Sequence, residues 1–280
     1  MCQKLELFRA CFAPISVSEV CKQLKIPFQE FMYVLGMILA DGYIQPTSKT
    51  SYSLRILLSQ KYEWSKRILE DVSNAFSMLS PSRISYSERQ HDSICELYID
   101  SPFFVWMREA IFNLGPNDKK TYSTLNADWI HRIPRDSQIS FLQGIADGDG
   151  YASSIGQRVG IASLANKRLI KKILKTFNIE SLLRKKGLEI IHHESILNLR
   201  NLPLFKNATG RLENLSEICE MINARPKRKR VSSFEISEIS RLKQKGLTYG
   251  EISLCLWRKH EISRSIATIG RIARQYKTNP

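Results

Sequence analysis

The chain has 280 residues, is 43% hydrophobic and 25% charged, and carries 42 Lys and Arg against 27 Asp and Glu, for a net charge of +15. This length and composition are typical of a globular protein with a well-buried core. The positive charge favours a polyanionic partner, either nucleic acid or an anionic membrane surface, and no apolar run approaches the roughly 20 residues that span a bilayer. A membrane role is disfavoured because no basic amphipathic surface helix stands out.

The N-terminal segment is predicted to be helical. Ser16 and Glu19 have the spacing of a capping box, which predicts a helix ending near Leu24. Residues 1–26 are predicted to form a helical cap that packs on the remaining chain. This is preferred over a second helix-turn-helix, whose third helix would have to be the motif helix itself.

Two apolar runs nearly repeat each other along the chain. The run VLGMILADG contains Gly36 and Asp41, and the run LQGIADGDG contains Gly144 and Asp149. In both copies the glycine lies five residues before the terminal Asp, and the two Asp residues are 149 − 41 = 108 positions apart. Each run predicts a helix that ends at its Asp-Gly pair. The repeat indicates a two-fold arrangement with one carboxylate from each copy.

The two helices are expected to touch. Pro27 fits the first turn of one helix, and Asp136 or Ser137 is expected to cap the other. Glycines on the facing sides allow close approach. The two carboxylates would then meet at helix C-termini, where they repel each other and the helix dipoles. This arrangement requires a cation, and hard oxygen ligands favour Mg²⁺.

The segments after each run predict short strands and amphipathic helices. Alternating apolar positions predict a strand over 51–59, with one wet face formed by its odd positions. The predicted order in each half is helix, strands, helix, strands, helix, in a pseudo-symmetric α+β domain. The further predicted elements are helices over 63–76, 103–113 and 166–177, and strands over 82–88, 93–100, 157–163, 182–186, 188–192 and 196–200.

These features together resemble the LAGLIDADG homing endonucleases of the single-chain, two-motif type, over roughly residues 28–222. The resemblance implies two αββαββα halves that form a saddle over DNA. It also implies that Asp41 and Asp149 bind catalytic metal ions, with the backbone carbonyls of Ala40 and Gly148 as further ligands.

The two motifs are not identical in their surroundings. Family members often carry a Gln-Lys pair after the first long strand, and the similar Gln60 and Lys61 imply a water-holding and a phosphate-stabilising or water-activating role. A solvated turn is the open alternative. The second half lacks this pair, and Leu39 stands where the second motif has Asp147. The two sites are therefore predicted to be non-equivalent.

Polar strand faces are expected to read base edges in the DNA major groove. An ordinary solvated role stays open for each candidate. The candidates are Arg55, Arg83, Arg158, Arg184, Lys186, Asn198 and Arg200.

The C-terminal part is the most basic region. Residues 225–280 hold 14 Lys and Arg against 4 Glu. The run RPKRKR predicts a solvated linker over 225–232, because dense like charge resists packing. A basic DNA-tracking segment is preferred over a nuclear-localisation signal. Its predicted DNA contacts are Lys227, Arg228, Lys229 and Arg230.

Residues 233–280 predict a helix-turn-helix module. The expected helices cover 234–245, a segment opened by a capping box at Thr248, and 266–275. Thr268, Arg271 and Arg274 are expected to be exposed and to contact DNA. A helical appendage that packs on the core is the alternative.

The predicted domains are a cap (1–26), a first half (27–135), a second half (136–224), a linker (225–232) and a helix-turn-helix module (233–280). The function expected from the resemblance is Mg²⁺-dependent cleavage of double-stranded DNA at a long, pseudo-palindromic site by a monomer. An RNA maturase that binds intron RNA, and a catalytically silent transcription regulator, are the alternatives. Six cysteines without C-x-x-C spacing and the lack of a secretion pattern favour an intracellular location with the genome, the nucleus being less favoured.

Overall fold

The computed structural model describes residues 14–47, 52–77, 83–89, 93–114, 128–225 and 231–276. The fold is α+β, as predicted, with two antiparallel four-stranded sheets and helices. Within these ranges, no helix combines the length and apolar character required to cross a membrane.

The first half has the predicted element order. A short helix, α1 (Pro14–Gln23), precedes it and packs on the main core. The strand order in its sheet is β1-β2-β4-β3. The elements are α2 (Phe28–Ala40), β1 (Gly42–Pro46), β2 (Tyr52–Ser59), α3 (Ser65–Ser77), β3 (Arg83–Arg89), β4 (Ile94–Ser101) and α4 (Phe103–Trp106), which continues as a π-helical turn (Met107–Ile111).

The second half repeats this order with shorter strands. A 3-10 turn (Asp128–Arg132) precedes it, and its strand order, β5-β6-β8-β7, matches that of the first sheet. The elements are α5 (Arg135–Asp149), β5 (Gly150–Ser153), β6 (Arg158–Ile161), α6 (Lys167–Thr176), β7 (Leu182–Arg184), β8 (Gly187–Ile190) and α7 (His193–Asn198).

Four more helices follow within the described residues. The first of them, α8, lies at the end of the predicted second half, where a closing helix was expected from the element order but was given no bounds. The other three are the helices of the predicted helix-turn-helix module and share a separate apolar core formed around Ile239, Ile252 and Ile269. The four helices are α8 (Thr209–Asn223), α9 (Ser233–Gln244), α10 (Tyr249–His260) and α11 (Ile266–Gln275).

Local signals set most of these boundaries. Thr248 and Glu251 form the predicted capping box of α10, and Ser265 caps α11. A second capping box, between Ser232 and Glu235, opens α9 and was not predicted. Each box satisfies backbone N–H groups that a helix start leaves without partners.

Two predicted helix starts are wrong. Helix α1 begins at Pro14, so Ser16 lies inside it and is not its cap. Helix α5 follows Pro134, which places Asp136 in the first turn and buries Ser137. Both helices begin earlier than the candidate caps because proline is well suited to a helix start.

Two strand predictions also need correction. The segment 196–200 is not a strand, because the buried Ser195, Ile196 and Leu199 follow helical spacing and form α7 and the turn after it. In β2 the odd-numbered positions were predicted to face solvent, but not all of them do. Ser53 is fully buried, since it lies between the larger side chains of Gln45 on β1 and Asp100 on β4.

The C-terminal helices are docked on the second half. Arg258 on α10 pairs with Glu217 on α8 at 2.7 Å. Arg225, which was predicted to begin a solvated linker, is instead half-buried and contacts Gln157 and His193. The following residues 226–230 lie outside the described residues.

Candidate active site and nucleic-acid interface

The two motif helices, α2 and α5, touch through their backbones. A Cβ added at Gly36 would lie 2.8 Å from the Ile145 nitrogen, and one at Gly144 would lie 2.9 Å from the Met37 nitrogen. A side chain at either position would force the helices apart. The predicted reason for glycine at these positions, close helix approach, is therefore confirmed.

This contact brings the two motif ends together. A Cβ added at Gly148 would lie 2.7 Å from Asp41 Oδ2, so the first carboxylate lies against the end of the second motif. Each end is also tied to its own sheet. The Asp149 carbonyl accepts a hydrogen bond of 2.8 Å from the Ala162 N–H, and the Asp41 carbonyl receives a longer one, 3.4 Å, from Leu57.

The motif ends present oxygen donors of the kind that divalent cations bind. Asp41 and Asp149 are half-buried, and burial raises the pKa of the Asp149 carboxyl despite the opposing charge of Arg211. Among the described residues, no group of three or more His, Cys, Asp or Glu side chains forms a metal site. A cation here would take its remaining ligands from backbone carbonyls, water and nucleic-acid phosphates, as Mg²⁺ commonly does.

At the second motif end, an arginine from α8 occupies backbone carbonyls that could otherwise bind a cation. Arg211 Nη1 donates to the carbonyls of Ala146, Asp147 and Gly148, at 2.8, 2.6 and 3.0 Å. The Asp147 and Gly148 carbonyls belong to the last turn of α5, whose carbonyls lack intrahelical partners, while the Ala146 carbonyl also accepts a hydrogen bond from the Gly150 N–H. The first motif end, Asp41 with the Ala40 carbonyl, therefore fits a divalent cation. The second fits one less well, because the implied ligand Gly148 already faces a guanidinium.

Asp147 holds the start of α8 in place. Its carboxylate accepts hydrogen bonds from the backbone N–H groups of Lys206, Asn207 and Ala208, at 3.1, 2.9 and 3.2 Å, and from the Tyr33 hydroxyl at 2.9 Å. This explains the difference between the two motifs at Leu39 and Asp147. The acid is structural, and it fixes the segment that delivers Arg211.

The predicted Gln-Lys pair lies in a turn close to this site. Gln60 Nε2 donates to the Ile94 carbonyl at 3.1 Å, while Lys61 is exposed. The following Tyr62 ring lies 6.0 Å from the Arg211 guanidinium. The turn is thus near the motif ends, and the roles given to Gln60 and Lys61 stay predictions.

On the outward face of the first sheet, one carboxylate holds two arginines. Glu96 on β4 pairs with Arg55 on β2 at 3.2 Å and with Arg89 on β3. The guanidinium groups of Arg55 and Arg83 lie 5.1 and 5.6 Å from the centre of the Tyr98 ring. Arg55 and Arg83 therefore share a polar sheet face, to which the structure adds Arg89.

The second sheet repeats this cluster on the corresponding strands. Glu189 on β8 pairs with Arg158 on β6 at 2.9 Å and with Arg184 on β7 at 2.7 Å. Burial favours the neutral acid, but hydrogen bonds from Arg184 and Tyr151 and the charge of Arg158 hold the pKa of Glu189 below its usual value. We call the two sets, Arg55–Glu96–Arg89 and Arg158–Glu189–Arg184, the Arg–Glu–Arg clusters.

The two acidic residues of these clusters were not among the predicted site residues. The available signal was the strand alternation, which places Glu96 and Glu189 on the same faces as the arginines. Each cluster carries two positive charges and one negative, which leaves a net positive charge on each sheet face.

Three other candidate readers lie elsewhere. Lys186 is exposed in the turn between β7 and β8. Asn198 lies on α7, where its amide donates to the Asn178 carbonyl at 3.2 Å, and Arg200 is exposed in the turn after α7. Neither of the last two is on a strand, because the segment that carries them is helical.

In the C-terminal helices, Arg271 and Arg274 are exposed on α11 as predicted. Thr268 is half-buried instead, because its hydroxyl lies 2.9 Å from that of Ser265 and its N–H donates to the same cap. The predicted contacts Lys227, Arg228, Lys229 and Arg230 lie outside the described residues.

Comparison with protein families found a match in the second half of the chain. Residues 136–210 match the family model described as a LAGLIDADG-like domain. The similarity to this family model is thus placed in the second half of the chain. This confirms the resemblance seen in the motifs, and the match spans α5, with Asp147 and Asp149, through to Gly210, one residue before Arg211.

Solved structures similar to the chain include LAGLIDADG proteins. The homing endonuclease I-DmoI in complex with DNA and calcium is 15% identical, covers 66% of this chain and 96% of its own, and has a TM-score of 0.47. I-WcaI bound to its DNA recognition sequence is 16% identical, covers 70% and 92%, and has a TM-score of 0.44. The N-terminal LAGLIDADG domain of DUF199/WhiA is 16% identical, covers 76% and 90%, and has a TM-score of 0.38.

A curated relative shares a longer segment of sequence. Glutamine--fructose-6-phosphate aminotransferase (isomerizing) from Methanocaldococcus jannaschii is 27% identical over 150 residues, which is 53% of this chain. The match spans only 12% of that relative's length.

Proposed function

We propose that the chain is a site-specific endonuclease that hydrolyses both strands of double-stranded DNA with the help of a divalent cation, Mg²⁺ in the cell. The observation that carries this proposal is the contact at Gly36 and Gly144, which joins the two motif ends and places Asp41 against Gly148. Carboxylates at the joined motif ends, in a protein with two positively charged sheet faces, suit the cleavage of a polyanion.

The chemistry divides among the residues as follows. Asp41 and Asp149 supply carboxylate ligands at the motif ends, and Lys61 in the nearby turn is exposed for contact with a phosphate. A divalent cation bound by such ligands supplies an activated water and stabilises the leaving oxygen. The protein's own part is to hold the scissile phosphate between the two ends.

The sheets and C-terminal helices supply the DNA-binding surface of the proposal. The two Arg–Glu–Arg clusters lie on corresponding strands, which suits a pseudo-palindromic site read by a monomer. Arg271 and Arg274 on α11 would add phosphate contacts beyond the saddle. The proposal also includes a linker over 225–232 that separates the second half from the helix-turn-helix module. It further includes a location of the protein with the genome.

Cleavage can be tested without knowledge of the natural target. The double variant D41N/D149N selects its preferred duplex from a random pool in EDTA, and the unaltered chain then receives that duplex with Mg²⁺. The proposal expects cuts in both strands inside the selected site. A selected duplex that stays intact with Mg²⁺ and with Mn²⁺ would overturn it.

One observation favours a second candidate, a DNA-binding regulator that does not cleave. Arg211 already occupies the carbonyls at the end of the second motif, where a cleaving site needs a divalent cation. In that case the selected duplex is bound tightly by the unaltered chain and is not cut. The same experiment therefore separates the two functions.

A further inference from the structure

Arg211 lies where a lone cation on its own helix is unfavourable. It is the third residue of α8, close to the positive end of that helix's dipole. Its guanidinium instead points at the negative end of α5, where it donates to three carbonyls. The favourable partner of Arg211 is therefore the second motif helix.

The surroundings fix this side chain. Asp147 binds the three N–H groups just before α8, and a Cβ at Gly210 would lie 2.8 Å from the Trp64 ring, so the first turn of α8 is packed closely. Burial lowers the pKa of Arg211, and the negative charges of Asp147, Asp41 and Asp149 oppose this shift. An arginine stays protonated at any physiological pH. A permanent positive charge is thus held at the motif ends.

We propose that Arg211 is a built-in cation that competes with divalent cations at the second motif end. The mechanism is repulsion between like charges and the occupation of the Gly148 carbonyl by a guanidinium hydrogen bond. The first motif end has the Ala40 carbonyl, which receives no hydrogen bond from Arg211. The two ends therefore bind divalent cations with unequal affinity.

Asp147 is a positioning residue in this arrangement. It touches neither the carboxylate of Asp41 nor that of Asp149 in the described hydrogen-bond network, and it acts by holding the 206–208 segment. Leu39 at the corresponding place in the first motif has no hydrogen-bonding side chain. The hydrogen bonds from Arg211 thus go to the second motif, although its charge also interacts with Asp41.

The test measures cation binding in the absence of DNA. Mn²⁺ is titrated into the protein at low ionic strength, and the free ion is followed by its electron paramagnetic resonance signal. R211Q removes the charge but keeps a donor for the carbonyls. We expect R211Q to bind a Mn²⁺ ion at least about tenfold more tightly than the unaltered chain, as expected when one unit charge is removed from a partly buried site.

Three control variants test whether the gain in Mn²⁺ affinity comes from the loss of the Arg211 charge at the second motif end. R211K keeps the charge and should bind Mn²⁺ as the unaltered chain does. K171A removes a positive charge from the exposed face of α6 and should have no effect. The double variant R211Q/D149N should lose the gain. Unchanged or weaker Mn²⁺ binding by a folded R211Q would overturn the proposal.

A second measurement needs no variant, which matters if R211Q does not fold. Proton exchange of the Arg211 guanidinium is followed by ¹⁵N NMR while Mg²⁺ is added to the unaltered chain. Faster exchange of the Arg211 guanidinium protons at high Mg²⁺ supports the proposal. An exchange rate that stays the same while Mg²⁺ binding reaches saturation overturns it. The inference deepens the proposed function, but neither measurement includes DNA, so a failure of cleavage and a failure of this inference are distinguishable.

Discussion

Arg211 donates a hydrogen bond of 3.0 Å to the carbonyl of Gly148, the residue that also lies against the carboxylate of Asp41. A fixed positive charge and two carboxylates thus meet at the ends of the paired helices. The same contact makes the two halves different in chemistry although they share one fold.

The close helix contact predicts a high cost for small substitutions. G36A or G144A places a methyl group against backbone atoms that cannot move away, and we expect a loss of about 3 kcal/mol or a failure to fold. Urea denaturation measures this. G156A is the control, because its Cβ would meet only the flexible side chain of Arg158, and it should cost less than about 1 kcal/mol. Equal losses for the motif variants and G156A would argue against the contact.

The hydrogen bonds of Asp147 predict a structural role. D147N replaces a carboxylate that accepts four hydrogen bonds by an amide with one acceptor oxygen, so buried N–H groups lose partners. We expect a loss of about 2–3 kcal/mol in the free energy of unfolding. D136N, in the exposed first turn of the same helix, should cost only a few tenths of a kcal/mol. A D147N variant as stable as D136N would show that the network contributes little.

Loss of the glutamate from an Arg–Glu–Arg cluster is predicted to raise the affinity for DNA and to lower the sequence specificity. E96Q and E189Q each remove one negative charge from a sheet face and release two arginines. We therefore expect a several-fold gain in affinity for random duplex DNA, a steeper dependence on salt, and poorer discrimination of the selected site. Fluorescence anisotropy at several salt concentrations measures all three. E70Q, on the exposed surface of α3, controls for net charge. Weaker binding by both cluster variants would mean that the glutamates themselves contact DNA.

The C-terminal helices are predicted to contribute equally to the binding of all DNA duplexes, whatever their sequence. R271A and R274A should each weaken binding to all duplexes by a similar factor and reduce the slope of log K against log salt by about one. R241A is the matched control, because its side chain is already paired with Glu238 on α9. If R271A changes the preferred sequence and leaves the salt slope intact, the residue reads bases instead of phosphates.

Most of the fold could be predicted because its signals are local. The spacing of Gly36 and Asp41 repeats at Gly144 and Asp149, and capping residues such as Thr248 mark helix starts. The prediction of a strand over 196–200 is wrong because the three apolar residues in this segment fit both a strand and one turn of a helix. Only the burial of Leu199 with Ile196 distinguishes them.

The chemistry of the second motif end could not be predicted in the same way. Arg211 and Gly148 are 63 residues apart, and no local pattern joins them. The one available signal was Asp147 itself. An acid on the buried side of a helix end needs several donors, and a chain segment must supply them. The strand order likewise decides which arginines meet Glu189.

The central claim is that the paired motif ends hydrolyse DNA, and a strand-resolved cleavage assay tests it most directly. The duplex selected by D41N/D149N is labelled on each strand and incubated with the unaltered chain, with D41N/D149N and with D136N in Mg²⁺. We expect the unaltered chain and D136N to cut both strands, and the double variant to bind equally well but cut at least about 10³-fold more slowly. Equal cutting by the double variant, or no cutting by the unaltered chain, would contradict the account.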